Sequence, residues 1–496
     1  MMLSAAPFVH AIDALEAPAD AGVDWRGPDN STALHWAVYE AEHDRAKALI
    51  RAGADVNASN RYGSNAMQLA AEMADMEMLK LLLDAGADPD SANPEGQTAL
   101  MLVARTGNVE AAKLLVKAGA DINAIERFGE QNALMWAAAR RHPAMVSYLI
   151  EQGADIALAS IDRDYPRHVT KEGRAKNLDR GGLTPLLFAI RENCVACVDV
   201  LIEKGADIDK PDPDGVSPLV LAIINANWDI AKNLIEAGAD VQQWDMFGHT
   251  ALMGVISLYT STTVKIGDPL NETTGREVLD LLLERGANTN AETFMAPAKM
   301  RGGFSRGTTP LMLAAANADV EVMKLLMEHG ADPSHKQADL QTPIYALAGA
   351  RGNQEAIVEG LKLLVDAGAD VNVRAVPHHL QRNRGGTALI AATNAGNAEV
   401  IRALVELGAD INGKDIDGLT ALDHAMQRNQ VGFLQMRRPP NTRIADVLRE
   451  LGASEELDHV PYWPNVGPPF YYPWSVFPLS AADQLKELVP GSFDHQ

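Results

Sequence analysis

Short apolar stripes, each broken by a glycine, recur along this chain at a nearly constant interval. In residues 98–119, Leu100, Val103 and Ala104 supply one face of a helix that Thr98 can cap with its hydroxyl, and Gly107-Asn108 breaks that helix. A second stripe follows at once. Val109, Ala112, Leu115 and Val116 recur at helical spacing, and Gly119 stands where a left-handed C-terminal residue is needed. Each predicted helix is only about ten residues long, too short to be stable alone in water. Its apolar face must be buried against neighbouring units, which predicts a long stacked array.

The unit repeats throughout. Gly-Ala-Asp or a close variant stands at Gly53, Gly86, Gly119, Gly153, Gly205, Gly238, Gly286, Gly330, Gly368 and Gly408, and Gly452-Ala453-Ser454 closes the series at intervals of 33 or 34 residues where uninterrupted. Each is paired with a second motif, as in Thr32-Ala33-Leu34-His35, Thr98-Ala99-Leu100, Thr184-Pro185-Leu186, Thr309-Pro310-Leu311 and Thr420-Ala421-Leu422. With eleven such motifs the chain resembles the ankyrin repeat family across residues 31–453. The resemblance implies an all-α solenoid of helix-turn-helix units with finger (β-turn) loops. It also gives His35 a structural role, tying neighbouring turns together. The expected organisation is an N-terminal capping half-repeat over 1–30, with one outer helix in 4–24, and the array over 31–455. A different tail occupies 456–496, where His459–Pro478 holds six prolines and seven aromatics. That tail reads either as a cap folded over the last repeat, the favoured alternative, or as an arm for a partner.

Charge and composition narrow the function. The 496 residues carry 43 Lys and Arg against 66 Asp and Glu, a net charge of −23, which repels polyanions and argues against nucleic acid as partner. No apolar run is long enough to span a membrane, and the N-terminus lacks a basic region followed by an apolar one. Two cysteines exclude a disulfide framework and leave the compartment open between cytoplasm and export. Neither oligomeric state nor partner identity is legible.

The departures from the period fall at two loop positions. The usual distance from the glycine to the leucine of the first helix is 14 residues, but it is 33 for Gly153–Leu186, 25 for Gly286–Leu311 and 21 for Gly368–Leu389. These three excesses lengthen fingers, over 157–182, 289–307 and 373–386. Others, over 257–275 and 427–442 and between Ile344 and Gly368, lie between the two helices of a unit. The finger insertions are basic: Arg163, Arg167, Lys171, Arg174, Lys176 and Arg180 in the first, Lys299, Arg301 and Arg306 in the second, Arg374, Arg382 and Arg384 in the third. Together they hold +7, which leaves −30 for the rest of the chain. The expectation is that these fingers present a positive patch to an acidic macromolecular surface. The competing view is that inserted loops are simply polar, and the basic Arg428, Arg437 and Arg438 in another insertion favour it.

Candidate chemistry is sparse. Cys194 and Cys197 begin the second helix of one unit about a turn apart, which allows a packing pair (free or disulfide-bonded), a redox pair, or half of a metal site lacking two ligands. In this Cys-x-x-Cys placement and in its basic fingers the chain resembles ankyrin arrays of bacterial type, which are often exported. His378-His379 lacks a third ligand, and no nucleophile elbow, phosphate loop, zinc-protease or EF-hand motif is present. Met101, Met135, Met253 and Met312 share one first-helix position and read as core. Trp36, Trp136 and Phe188 stand next to it, either lining a binding groove or supporting the finger bases. These residues predict a non-catalytic protein-binding scaffold without cofactor or metal, using fingers and the concave face. The alternative is a redox-responsive accessory or regulatory subunit built on Cys194 and Cys197.

Overall fold

The computed structural model describes residues 18, 20–163, 181–245, 247–259, 271–294, 307–337, 340–375, 386–415, 418–426 and 439–455. Among them are 22 α-helices, from α1 (Ala33–Tyr39) to α22 (Thr442–Glu450), arranged as consecutive short pairs. In each pair the first helix packs on its partner and on the first helices of the units before and after, as α5 (Ala99–Thr106) does on α6 (Val109–Lys117), α3 (Ala66–Glu72) and α7 (Ala133–Ala139). Second helices stack likewise, α8 (Pro143–Glu151) on α10 (Val195–Glu203), for example. The result is the all-α repeat solenoid that the period predicts, with one apolar core running through every unit. No helix among the described residues is long and apolar enough to cross a membrane.

Local chemistry sets each helix. The residue before a first helix is usually Thr, Asn or Ser in extended conformation, and its side chain accepts a backbone N–H from the first turn, as Thr184 does from Leu187 and Asn132 from Met135. Thr98 departs from this expectation. It occupies the cap position of α5, but its buried hydroxyl makes no hydrogen bond among the described residues. Gly107 ends α5 in the left-handed conformation, and of the second stripe Ala112 and Leu115 are buried while Val109 and Val116 are half-buried. Met101, Met135, Met253 and Met312 are all core.

Two side-chain ladders join the units. In the Gly-Ala-Asp turns, Asn57 donates to Gly86 O at 3.3 Å and accepts from Asp88 N at 2.8 Å. Asn123, Asn290 and Asn372 make the same pair of bonds, to Gly153 and Asp155, Gly330 and Asp332, and Gly408 and Asp410. In the fingers, one acid or amide folds each loop: Asn60 accepts from Tyr62 and Ser64, Glu126 from Phe128, Gly129 and Gln131, and Asp245 from Phe247 and His249.

The insertions leave from closed necks. Asp162 pairs with Gly181 and Ala375 with Gly386 as isolated antiparallel bridges, and Thr293 N donates to Thr308 O at 3.1 Å. Between helices, α13 runs to Tyr259 and α14 begins at Gly275, so helix ends occupy part of the span expected as insertion over 257–275. The same holds for α22, which begins at Thr442 inside the span 427–442. The expected outer helix in 4–24 falls largely outside the described residues, as does the tail beyond 455.

Candidate functional site

Two surfaces gather functional side chains: the row of finger tips and the face of the first helices beside it. Four fingers each donate a backbone N–H to the one before it, which ties neighbouring fingers into an edge, while Pro94 and Pro213 at the same position of two others have no N–H to give. Arg61 N donates to Asp29 O at 2.7 Å, Arg127 N to Glu95 O at 2.8 Å, Ile161 N to Gly129 O at 2.7 Å and Phe294 N to Phe247 O at 2.8 Å. Aromatic rings stand out from this edge: Tyr62 is 61% exposed, Phe128 64%, Trp244 55% and Phe294 50%. Such large apolar rings in water are a standing incentive to bind. Trp244 and Phe294 meet edge to face, with centroids 5.8 Å apart.

Arginines are interleaved with the rings. Arg61 and Arg127 are exposed beside Tyr62 and Phe128, and Arg127 reaches back to Pro94 O at 3.1 Å. Arg163 is exposed and donates to Phe128 O across the neighbouring finger, so it braces the edge as well as charging it. Arg374 is exposed on a shallow cleft of about 250 Å³ with Asn372, Asp410 and Lys414. The other finger residues proposed from sequence, Arg167, Lys171, Arg174, Lys176, Arg180, Lys299, Arg301, Arg306, Arg382 and Arg384, lie outside the described residues, as do His378 and His379.

The tips Arg61-Tyr62-Gly63 and Arg127-Phe128-Gly129 were not among the sequence candidates. Their signal was present as a recurring Arg-aromatic-Gly at one finger position of ordinary-length repeats. Attention to the insertions passes over it.

On the first-helix face, Trp36 is buried and Trp136 half-buried, and neither indole N–H has a hydrogen-bond partner among the described residues. Trp36 packs edge to face on Tyr39 at 5.9 Å. Arg105 lies 6.0 Å over the Trp136 ring and 3.8 Å from Glu72, while Arg191 lies 4.8 Å over Phe188. Trp136 and Phe188 thus lie under guanidinium groups, and Trp36 packs against a neighbouring ring.

Two of the titratable groups with shifted behaviour, His35 and Asp245, stand at finger bases. His35 Nδ1 accepts from Thr32 N at 3.1 Å and its Nε2 lies 3.0 Å from Ser64 O, so it links two units as its position implies. Burial holds its pKa below the ordinary histidine value, outweighing the opposing bond to Ser64 O. For Asp245, burial alone would raise the carboxyl, but the bonds from His249 and from the Phe247 amide hold it below its ordinary value.

Cys194 and Cys197 are joined in a disulfide. Cys194 caps α10 and Cys197 lies in its first turn, so the bond crosslinks one turn of one helix and ties no two elements together. Among the described residues, no group of three or more His, Cys, Asp or Glu is placed to hold a metal ion.

Comparison with known proteins agrees with this architecture. The family model described as "Ankyrin repeats (3 copies)" matches residues 2–93, 74–160, 167–261, 271–375 and 359–436. The chain is 37% identical over 107 residues to "Ankyrin repeat, SAM and basic leucine zipper domain-containing protein 1" of Dasypus novemcinctus, which is 22% of this chain and 21% of that protein. With the protein of the same name from Echinops telfairi it shares 33% over 138 residues, 28% and 27% of the two chains. The match therefore spans about a quarter or less of these relatives' length. Among solved structures, the ankyrin repeat domain of Bcl-3, described as a member of the IkappaB protein family, aligns with a TM-score of 0.40 and 23% identity, over 51% of this chain and 99% of that one.

Proposed function

The chain belongs to the ankyrin repeat family, a family of protein-interaction scaffolds, and from that premise we propose that it is a non-catalytic scaffold whose finger edge and adjoining concave face grip an acidic protein surface. The observation that carries this reading is the edge itself. Exposed rings at Tyr62 and Phe128 alternate with Arg61, Arg127 and Arg163 on fingers locked together by backbone bonds, in a chain whose net charge is −23. A pre-ordered edge binds without the entropic cost of organising loops, the rings supply buried apolar area and the arginines supply complementarity to carboxylates. The basic residues of the three inserted fingers extend the same positive character.

The test is capture of partners from the native source by the full chain and by the double variant Arg61→Glu, Arg127→Glu, across a series of salt concentrations. Reversing two rim charges is expected to weaken capture about tenfold or more and to flatten its salt dependence. Equal capture with the same salt dependence would remove the acidic-surface reading. A second reading, a redox-responsive accessory or regulatory subunit, draws on the Cys194–Cys197 disulfide and its setting at a helix start beside an open cleft.

A further inference from the structure

On the surface formed by the inter-helix turns of two adjacent units, a cleft of about 330 Å³ is lined by Arg141, Pro143, Asn193, Cys194, Val195 and Ala196. Three features of its wall converge. Cys194 lines it with 5% of its surface exposed, whereas Cys197, its disulfide partner, has none. Arg141 is exposed at the rim, and no ion pair holds it among the described residues. Asn193 also lines it, and its buried side-chain oxygen has no donor among the described residues. A disulfide sulfur, a cation and an unsatisfied acceptor around one cleft match a small peptide-like thiol bearing carboxylates.

We propose that this cleft is a thiol–disulfide exchange site for an anionic low-molecular-weight thiol of the glutathione type, with Cys194 the sulfur attacked. The thiolate of the ligand attacks Cys194 Sγ and forms the mixed disulfide. The Cys194–Cys197 bond breaks, and its electron pair leaves on Cys197 Sγ, which takes a proton from water. A second thiol attacks the ligand sulfur of the mixed disulfide, forms the oxidised ligand disulfide and releases Cys194 as thiolate. The protein disulfide gains two electrons and one proton, on Cys197, with Cys194 left as thiolate; the two ligand thiols lose two electrons and two protons, the second proton passing to solvent.

The released thiolate has a stabilising place. The backbone N–H of Cys197 lies 3.3 Å from Cys194 Sγ, donating to it at the start of the nine-residue helix α10, where orphan amides favour negative charge. The same contact makes Cys194 a good leaving group in the second exchange. Attack on Cys197 is blocked by its burial. The exchange concerns the turn edge and not the finger tips, so it stands or falls separately from the identity of the scaffold's partner.

The test uses the full chain in native buffer with reduced glutathione or with the uncharged thiol 2-mercaptoethanol, quenched by alkylation and read as intact mass over time. Glutathione is expected to open the disulfide in the folded protein, and Arg141→Ala to slow that reaction about threefold while leaving 2-mercaptoethanol unchanged, the effect of one solvent-screened charge. Given oxidised glutathione instead, Cys197→Ser is expected to accumulate a glutathione adduct on Cys194, the second glutathione leaving as thiol. An Arg141→Ala protein that reacts with glutathione as fast as the unsubstituted chain overturns the proposal. So does a disulfide that opens only on unfolding, or an adduct found on Cys197. Because Arg141 is a surface residue, its variant keeps the test decisive even where the cysteine variants fold poorly.

Discussion

The units over residues 31–153 and those after residue 153 are built on one plan, but only the second group carries insertions in its fingers. In the first group every finger is short and its tip is held by one acid or amide, as Asn60 holds Tyr62 and Ser64. In the second, the chain leaves from a neck closed by backbone bonds at Asp162 and Gly181, at Thr293 and Thr308, and at Ala375 and Gly386. The difference shows how a solenoid accepts insertions: at two of the three long fingers the ladder beneath is kept while the loop above grows. Asn290 and Asn372 bridge to the next unit across long loops with the same two bonds as Asn57 and Asn123 in the regular part. Loop length costs little when the ends are already fixed.

The sharpest way to break this parity is at the necks. Gly181 has φ +81°, and a Cβ there would stand 2.1 Å from the carbonyl oxygen of Ile161, which is backbone and cannot swing away. Gly53, in a regular turn, has φ +90° but open space around its Cβ position. Gly181→Ala is therefore expected to cost about 3 kcal/mol or more, from strain and overlap together, against about 1 kcal/mol for Gly53→Ala. Urea unfolding of the two variants measures this, and equal midpoints would show that the neck is not rigid. Next in size is the ladder. Asn123→Ala removes bonds of 3.2 Å to Gly153 O and 2.8 Å from Asp155 N, with an expected loss of about 1–2 kcal/mol, and Asn372→Ala is expected to lose the same if the two groups are equivalent.

One rung is missing, and filling it is a smaller test. At residue 157 the ladder position holds Ala, whose side chain offers no bond to the Gly205–Asp207 turn; its N–H donates to Asp155 at 2.8 Å and its carbonyl accepts from Lys210 Nζ at 2.9 Å. Ala157→Asn is expected to add about 0.5–1 kcal/mol by supplying the rung at the entrance to the first long finger. A melting temperature unchanged or lowered by this substitution would mean that the insertion has shifted the two turns out of register.

Much of this organisation was legible beforehand, because a repeat of 33 or 34 residues writes helix, turn and finger at the same place each time. The insertions stood out as breaks in that period. What stayed hidden depends on contacts between units. Thr98 reads as a cap because its type suits the role, yet its hydroxyl makes no such bond. The rings of Tyr62 and Phe128 form a surface feature only when fingers are stacked, and a linear reading treats each as an isolated loop residue. The spacing of Cys194 and Cys197 placed the thiols one turn apart, but the bond between them and the cleft with Arg141 belong to the fold.

The last comparison sets the first two units side by side, and at neutral pH it predicts no pH-dependent difference. Both first helices open with a reciprocal capping box, Thr32 with His35 in α1 and Asn65 with Gln68 in α3. Gln68 cannot titrate, whereas His35 Nδ1 must keep a lone pair to accept the Thr32 N–H, so the ring is neutral with its proton on Nε2 toward Ser64 O. Burial holds the folded-state pKa of His35 below its ordinary value of 6.5. As pH falls below about 6.5 the unfolded chain binds a proton that the folded one refuses, so the His35 contribution is complete above that value and is lost on the way down to the folded pKa. His35→Gln copies the neutral box of the second unit. It is expected to reduce the slope of stability against pH between about 6.5 and the folded pKa by up to one proton's worth, with no change in slope above that window, as read from urea midpoints across pH. An unaltered slope would show that the ring is free to protonate and that the tie between the first two units does not depend on its lone pair.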